Sequence, residues 1–191
     1  MLFRTSSCRH IEISSGHTSR QQVGPRFSSQ EELDLITNRP VTGIFESSVT
    51  SALTLVKPTE RFGIVSTGVV WEDLLSTAVR NFLGTATTSN RFAGVQTTSL
   101  SAAELHFSPP ELVRQRLKEA TKRLVLQHQQ DGLGEVGAIC LGCAGMSGMD
   151  AIVRESCIET LGAERGGRVW IVDGVVAGVN ALEGALRALG R

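Results

Sequence analysis

The feature that most limits the fold of this chain is an alternation of short apolar segments with longer amphipathic ones. Strand-forming segments occur at residues 41–45, 62–65, 92–95, 135–142 and 168–173. Helix-forming stretches occur at residues 46–56, 69–83, 110–130, 148–162 and 175–189. The segment EVGAICLG is apolar almost throughout, which is typical of a strand buried on both faces of a parallel sheet. This alternation predicts an α/β fold, with a parallel-rich sheet and helices on both of its faces.

The first 29 residues differ in composition from the rest of the chain. They are rich in serine and contain one acidic residue, Glu12, and four arginines at positions 4, 9, 20 and 26. This composition resembles an organelle transit peptide, and it also fits a disordered tail or sequence foreign to the protein. We expect residues 1–29 to be disordered or unrelated, and residues 30–191 to form one α/β domain. A short helix over 30–36, with Ser29 as its N-cap, is expected to open this domain.

Composition argues against several classes of partner and favours a reducing compartment. Lys and Arg together number 19 and equal Asp and Glu, so neither nucleic acid nor an anionic membrane is indicated as a partner. Tyrosine is absent, which argues against aromatic platforms for base stacking. No apolar run approaches the roughly 20 residues of a membrane span. Four cysteines are too few for a disulfide scaffold, so we expect a cytoplasmic protein, with mitochondrial targeting as a minor alternative.

Two of the cysteines form a C-L-G-C pair, Cys140 and Cys143, at the end of an apolar segment. A thioredoxin-like pair has its first thiol just past the strand, whereas Cys140 lies within the predicted strand. Zinc needs about four ligands, and no second Cys or His pair follows with suitable spacing. We therefore expect Cys140 and Cys157 to be core residues. Cys143 is either a buried thiol or a reactive one, because the dipole of a helix that follows it would favour a thiolate.

Two short segments deliver small or nucleophilic groups to the carboxyl edge of the predicted sheet, where α/β proteins carry their chemistry. One is Ser66-Thr67-Gly68, which is either part of a binding site or an ordinary strand-to-helix turn with a hydroxyl cap. The other is Gly142-Cys143-Ala144-Gly145. Each directly follows a predicted strand, so we expect Thr67 and Cys143 to face a common cleft.

Four other residues stand out in the sequence, one as a candidate base and three as structural residues. His106 is a candidate base, although a histidine that caps a turn is the favoured interpretation. Trp71 and Trp170 are expected to lie in the core. Gly43 is expected to lie inside the strand at 41–45 and to allow close backbone packing there.

The motif LGCAGM after an apolar strand resembles the second-cysteine motif of the hydantoin racemase family, within the aspartate/glutamate racemase superfamily. The similarity extends through VTGIFESSVTSALTL, RFGIVSTGVVWEDLL, FAGVQTTSLSAAELH and RVWIVDGVVAGV, in the order of the family. It covers residues 40–191 almost continuously. The resemblance implies a fold of two pseudo-symmetric α/β lobes, each of which contributes one catalytic cysteine.

The resemblance also implies a mechanism without cofactor or metal. One cysteine thiolate removes the proton from the stereocentre, and a second returns one on the opposite face. A thiol suits this task because its ordinary pKa near 8.5 is close to neutrality. Carried over to this chain, Cys143 is the acid/base of the second lobe. Gly142, Ala144 and Gly145 would shape its loop and present backbone donors, and Ser66, Thr67 and Gly68 match the small polar loop near the substrate.

The chain departs from the family pattern at the first cysteine. Cys8 is the only candidate for it, and its context TSSCRHIE has neither the apolar strand nor the small-residue loop of the family. We therefore expect the first lobe to be incomplete in this chain.

The function indicated is a cofactor-independent racemase acting on a small molecule: a hydantoin, allantoin or an amino-acid-like compound. A homo-oligomer is left open. One alternative is a catalytically impaired relative that binds a metabolite or serves as an interaction module. Another is a decarboxylase or cis–trans isomerase, for which one cysteine suffices.

Overall fold

The computed structural model describes residues 40–84, 91–127 and 134–190. The chain divides into two compact units, residues 1–41 and residues 42–191, and the described helices and strands all belong to the second. The N-terminal segment 1–29, the helix expected at 30–36, its cap Ser29 and Cys8 all lie outside the described residues. The domain boundary after residue 29 therefore stays a prediction.

A sheet of four parallel strands forms the centre of the fold. The strands are β1 (Arg61–Ser66), β2 (Phe92–Thr97), β3 (Val136–Leu141) and β4 (Trp170–Asp173), in the order β2-β1-β3-β4. The helices are α1 (Ile44–Leu55), α2 (Val70–Phe82), α3 (Glu104–Phe107), α4 (Pro110–Gln127), α5 (Asp150–Leu161), α6 (Ala163–Arg168) and α7 (Gly174–Ala188). None of the helices in the described ranges is both long enough and apolar enough to cross a membrane.

The two faces of the sheet bury separate hydrophobic cores, because successive side chains of a strand point to opposite faces. On one face, Phe62 and Ile64 of β1 pack with residues of α1, α2 and α7. On the other face, Val65 of β1, together with Ile139 and Leu141 of β3, packs with α4 and α5. Each such side chain contributes on the order of 1.5–3 kcal/mol through burial. The predicted α/β class, with helices on both faces, is confirmed.

Helix α4 packs on the sheet with the apolar stripe that its sequence predicts. Val113, Leu117, Ala120 and Leu124 are all buried. Leu124 approaches the sheet closely at Gly63, where a Cβ atom would lie 2.7 Å from Leu124 Cδ2. Glycine at position 63 is therefore required by the closeness of α4 to β1.

The strand expected at residues 41–45 is wrong, because α1 begins at Ile44 and Gly43 is its N-cap. The start of this helix is held by one local and one long-range contact. The hydroxyls of Thr42 and Ser47 lie 2.8 Å apart. A Cβ atom on Gly174 of α7 would lie 2.7 Å from Ser48 Oγ, so the first turn of α1 rests against α7. Tertiary packing here outweighs the β-propensity of the V-T-G-I-F run.

Of the two tryptophans, one lies where the sequence predicts. Trp71 is half-buried and packs against the core. Trp170 is 51% exposed, so its prediction as a core residue is wrong. It begins β4, which pairs only with β3 among the described strands, and its exposure follows from that edge position. The short helices α3 and α6 were not predicted either, because each is too brief to show a helical period.

We predict opposite stability effects for two glycine-to-alanine substitutions. Gly63→Ala should lower the free energy of unfolding by about 1–3 kcal/mol, because its methyl group overlaps Leu124. Gly184→Ala, in α7 and with nothing within 4 Å of its Cβ position, should raise it by about 0.5–1 kcal/mol through helix propensity. Urea denaturation of the two variants measures both effects. Equal stability of Gly63→Ala and the parent chain would contradict the close packing of α4 on β1.

Candidate active site

Cys143 lies at the carboxyl edge of the sheet, two residues after β3 ends. The preceding residue, Gly142, is held beside β1, since its N–H donates to the carbonyl of Val65 at 2.8 Å. A Cβ atom at Gly142 would lie 2.7 Å from Ile64 Cγ2 and 3.1 Å from Ser66 Oγ. Gly142 therefore shapes the loop by letting it lie against the end of β1. Its N–H is already used in the sheet, so it is not available as the substrate donor expected from the sequence.

The three described cysteines differ in their surroundings. Cys140 and Cys157 are buried, and burial raises the pKa of Cys140 to about 12. Burial also raises the pKa of Cys157 to about 11, although the charge of Arg154 acts in the opposite direction. Cys143 is half-buried. At neutral pH Cys140 and Cys157 are therefore protonated thiols sealed from solvent, whereas Cys143 is accessible.

Cys140 and Cys143 lie on opposite faces of the sheet. Cys140 belongs to the core under α1, and its Sγ lies 3.5 Å from the carbonyl oxygen of Ser48. Cys143 packs against the core on the α4 and α5 face. A disulfide needs the two Cβ atoms about 3.8 Å apart, with converging directions. The arrangement therefore agrees with the rejection of a redox pair.

A 3-10 turn follows the thiol and fixes its loop. The turn covers Ala144–Met146, and the N–H of Met146 donates to the carbonyl of Cys143 at 3.0 Å. Met146 is fully buried and anchors the turn in the core. Helix α5 begins only at Asp150, later than expected. Because a helix dipole acts mainly within its first turn, the dipole argument for a Cys143 thiolate loses most of its force.

The segment Ser66-Thr67-Gly68 lies beside the Cys143 loop, since β1 and β3 are neighbours in the sheet. The side chains of Ser66 and Thr67 are buried, while Gly68 is half-buried. The carbonyls of Ser66 and Thr67 accept hydrogen bonds from the N–H groups of Thr98 and Ser99, at 2.9 and 3.1 Å. In this structure the segment ties the loop after β1 to the loop after β2. Its contact with a substrate stays a prediction.

His106 lies much closer to Cys143 than the sequence indicates. A Cβ atom built on Gly145 would lie 3.2 Å from His106 Nε2 and 3.7 Å from Cys143 Sγ. The imidazole and the thiol therefore border the same small space. The sequence interpretation as a turn cap missed this, because α3 and the Cys143 loop are distant along the chain.

Asp173 connects the Cys143 loop to α7, and sequence reasoning missed it too. Its Oδ2 accepts hydrogen bonds from the hydroxyl of Ser147 at 2.6 Å and from the N–H of Gly148 at 3.1 Å. Its Oδ1 accepts from the N–H groups of Val175 and Val176, at 2.8 and 3.2 Å. Burial acts to raise the pKa of Asp173, but these hydrogen bonds together hold it below its ordinary value. The only sequence signal was an Asp at a strand end before a helix.

Within the described ranges, no group of three or more His, Cys, Asp or Glu side chains is arranged to hold a metal ion. The groups that the site offers are therefore the thiol of Cys143, the imidazole of His106 and the backbone of the edge loops. Such groups can move protons and bind oxygen atoms of a small polar molecule.

We predict that brief iodoacetamide treatment of the folded protein labels Cys143 before Cys140 and Cys157. Alkylation requires a thiol that is both accessible and deprotonated. Burial makes Cys140 and Cys157 inaccessible and raises the pKa of both thiols. Peptide mapping measures the order, and fragment ions distinguish Cys140 from Cys143, because no Lys or Arg separates these two residues. Earlier labelling of Cys140 or Cys157 would contradict the placement of Cys143 at an open edge.

We predict that Asp173→Ala lowers the free energy of unfolding by about 1–2 kcal/mol, through loss of the α7 cap and of the loop contacts. Asp173→Asn is the matched control, because it keeps an oxygen at the cap and removes the charge. The folded pKa of Asp173 is lowered, so its carboxylate stabilises the fold above its ordinary pKa and loses this effect as the pH falls through the lowered value. The advantage of the parent chain over Asp173→Asn should therefore shrink below about pH 4. A gap that is independent of pH in denaturant titrations would contradict this role of the charge.

Known proteins share both the sequence pattern and the fold of this site. Residues 30–182 match the model of the Asp/Glu/Hydantoin racemase family. An uncharacterised protein of Schizosaccharomyces pombe is 30% identical over 151 residues, which are 78% of this chain and 54% of that protein.

Solved racemases have the same fold. An allantoin racemase of Pseudomonas fluorescens superposes with a TM-score of 0.62 at 27% identity, over 84% of this chain and 58% of that one. An allantoin racemase of Klebsiella pneumoniae gives 0.57 at 27% identity, over 79% and 51%. A glutamate racemase of Bacillus anthracis gives 0.57 at 16% identity, over 85% and 54%, which shows a shared fold.

This chain spans only about half the length of these relatives. The family match nevertheless covers most of it and includes the sheet and the Cys143 loop. The chain therefore belongs to the Asp/Glu/hydantoin racemase family.

Proposed function

We propose that this chain carries one half of a cofactor-independent racemase active site, and that Cys143 is its acid/base. The observation that carries the proposal is an accessible thiol at the carboxyl edge of a parallel sheet, in a chain of the Asp/Glu/hydantoin racemase family. The other two described thiols are sealed in the cores. Cys143 is therefore the described cysteine that a substrate can reach.

The proposed step is a proton transfer at a carbon next to a carbonyl group. The Cys143 thiolate takes the proton, an S–H bond forms, and the electron pair of the broken C–H bond passes into the carbonyl as an enolate. The reverse step restores the C–H bond and the thiolate. Enolate formation is favoured where N–H groups receive the developing charge on oxygen. We assign this role to the backbone of Ala144 and Gly145.

For the substrate we propose a cyclic ureide such as allantoin or a substituted hydantoin. The support is the 27% identity to two allantoin racemases. The stereocentre of such a ring lies between a nitrogen and a carbonyl, where a thiolate can remove a proton with modest assistance. An amino-acid-like substrate is the second choice, since the glutamate racemase at 16% identity shares the fold alone.

Racemisation needs proton donors on both faces of the planar carbanion, and the described residues supply one accessible thiol. We propose that a complete site needs a second acid from outside the described residues. Cys8 is one candidate. A second candidate function, a family member that binds a metabolite without efficient turnover, is favoured by this single accessible thiol.

We predict that this chain, in deuterated water, exchanges the stereocentre proton of one enantiomer of allantoin or of a 5-substituted hydantoin, without efficient inversion. A single thiol returns the deuteron to the face from which it took the proton. Proton NMR measures exchange and circular dichroism measures inversion, after subtraction of the spontaneous rate in buffer. Cys143→Ala should remove the exchange, while the control Cys157→Ala, if folded, should keep it because that thiol is buried.

Two outcomes would contradict the proposal in different ways. Inversion of both enantiomers at comparable rates, lost in Cys143→Ala, would show that a second acid already completes the site. Absence of exchange for every ureide and amino acid tried would favour the metabolite-binding alternative.

A further inference from the structure

We propose that His106 is the proton partner of Cys143, and that its imidazole accepts the thiol proton and exchanges it with solvent. His106 Nε2 and Cys143 Sγ lie 3.2 and 3.7 Å from the position that a Gly145 Cβ atom would take. Their separation is at most the sum of these distances. A rotation of the exposed imidazole together with a bridging water spans a gap of this size.

The position of His106 is fixed by its neighbours on α3. Leu105 is buried in the same core as Met146, against which Cys143 also packs. The turn before α3 contains a reciprocal pair: Ser101 N–H donates to Glu104 Oε2 at 2.7 Å, and Glu104 N–H donates to Ser101 Oγ at 3.2 Å. This pair has the pattern of a capping box and fixes the turn that leads into α3. α3 is therefore anchored at its start and through Leu105, and His106 is carried to the Cys143 loop.

Gly145 provides the space between the two groups. Any side chain at position 145 would begin 3.2 Å from the imidazole, which is closer than most Cβ contacts in proteins. Alanine there would displace the imidazole by a few tenths of an ångström, away from the thiol. Gly145, the second glycine of the G-C-A-G run, therefore keeps the space between the imidazole and the thiol free of a side chain, in addition to its place in the 3-10 turn.

The step balances as a simple proton transfer. The S–H proton of Cys143 moves to the Nε2 lone pair of His106, which gives a thiolate beside an imidazolium. Because His106 is exposed, this imidazolium exchanges its proton with water. His106 acts through Cys143 and is a positioning residue in this sense. Its place on the Cys143 side means that it does not supply the acid for the opposite face. A role of His106 in turnover rests on the proposed function, because it requires that Cys143 return to the thiolate form between proton transfers.

The other ionisable groups on the neighbouring elements are Glu104, Asp150 and Asp173. Glu104 is engaged with Ser101, whose backbone and side-chain hydrogen bonds hold its pKa below the ordinary value. Asp173 is engaged with Ser147 and Gly148. Asp150 is the first residue of α5, seven residues after Cys143. The carboxylates of Glu104 and Asp173 already accept hydrogen bonds from other residues. The imidazole of His106 borders the same space as the thiol, so we assign the proton exchange to it.

The test is the pH dependence of Cys143 alkylation, which needs no substrate. The rate of iodoacetamide labelling at Cys143 is measured by mass spectrometry from about pH 6 to about pH 10, in the parent chain and in His106→Gln. Fragment ions locate the label on Cys143, because Cys140 lies in the same peptide. We expect His106→Gln to lower the rate near neutrality on the order of fivefold, because the stabilising imidazolium is lost, and to match the parent at alkaline pH. Arg187→Gln, which removes an exposed cation from α7, is the charge control and should leave the profile unchanged.

Gly145→Ala is the second variant, and it should show the same loss near neutrality while His106 remains present. Superimposable profiles for the parent and His106→Gln would overturn the proposal, and so would a fall of equal size at every pH, which indicates steric change alone. Because alkylation does not involve turnover, this result stands apart from the deuterium-exchange assay. Failure of that assay with a positive alkylation result would overturn the racemase activity and leave the proton partnership in place.

Discussion

The parallel pairing of β1 with β3 is the constraint on which the rest of the structure depends. These strands are adjacent in the sheet although β2 and α4 separate them in sequence. Because the pairing is parallel, the loops that follow the two strands emerge at the same edge, and Ser66-Thr67-Gly68 lies beside Gly142 and Cys143. An antiparallel pairing would send these loops to opposite edges. The candidate site is thus a consequence of strand order and direction.

Glycine makes the close approach at this edge sterically feasible. Gly63 admits Leu124 against β1, and Gly142 admits Ile64 and Ser66 against the start of the Cys143 loop. Gly145 leaves the space that His106 and Cys143 border. In each case the neighbouring group comes from a different element, so the requirement for glycine arises from tertiary packing and not from local backbone conformation. The absence of side chains at Gly142 and Gly145 lets the Cys143 loop lie close to β1 and to His106.

The sequence predicts those parts of the fold that depend on local pattern. The buried strand at Val136–Leu141 and the apolar stripe of α4 are visible as a continuous run and a helical period. The start of α1 at Ile44 was missed, because contacts with Gly174 from the far end of the chain decide it. The exposure of Trp170 was missed because it depends on the position of β4 in the strand order. The hydrophobic pattern of the sequence does not predict that order. The same limit applies to the site: Cys143 stands out by its motif, whereas His106 and Asp173 join it only through the fold.

Under the proposed function, the described loops around Cys143 bring one accessible thiol to the carboxyl edge of the sheet. Hydrogen bonds join these loops in pairs: Thr98 links the loop after β2 to Ser66, and Asp173 links Ser147 to the start of α7. Gly142, which precedes the thiol, is bonded to Val65 of β1. Such a fixed half-site suits the removal of a proton from one face of a carbon, since an acid/base group must keep its geometry through the transfer. A thiol on one loop addresses one face of a planar carbanion, so the proposed racemisation requires a second proton donor on a different element.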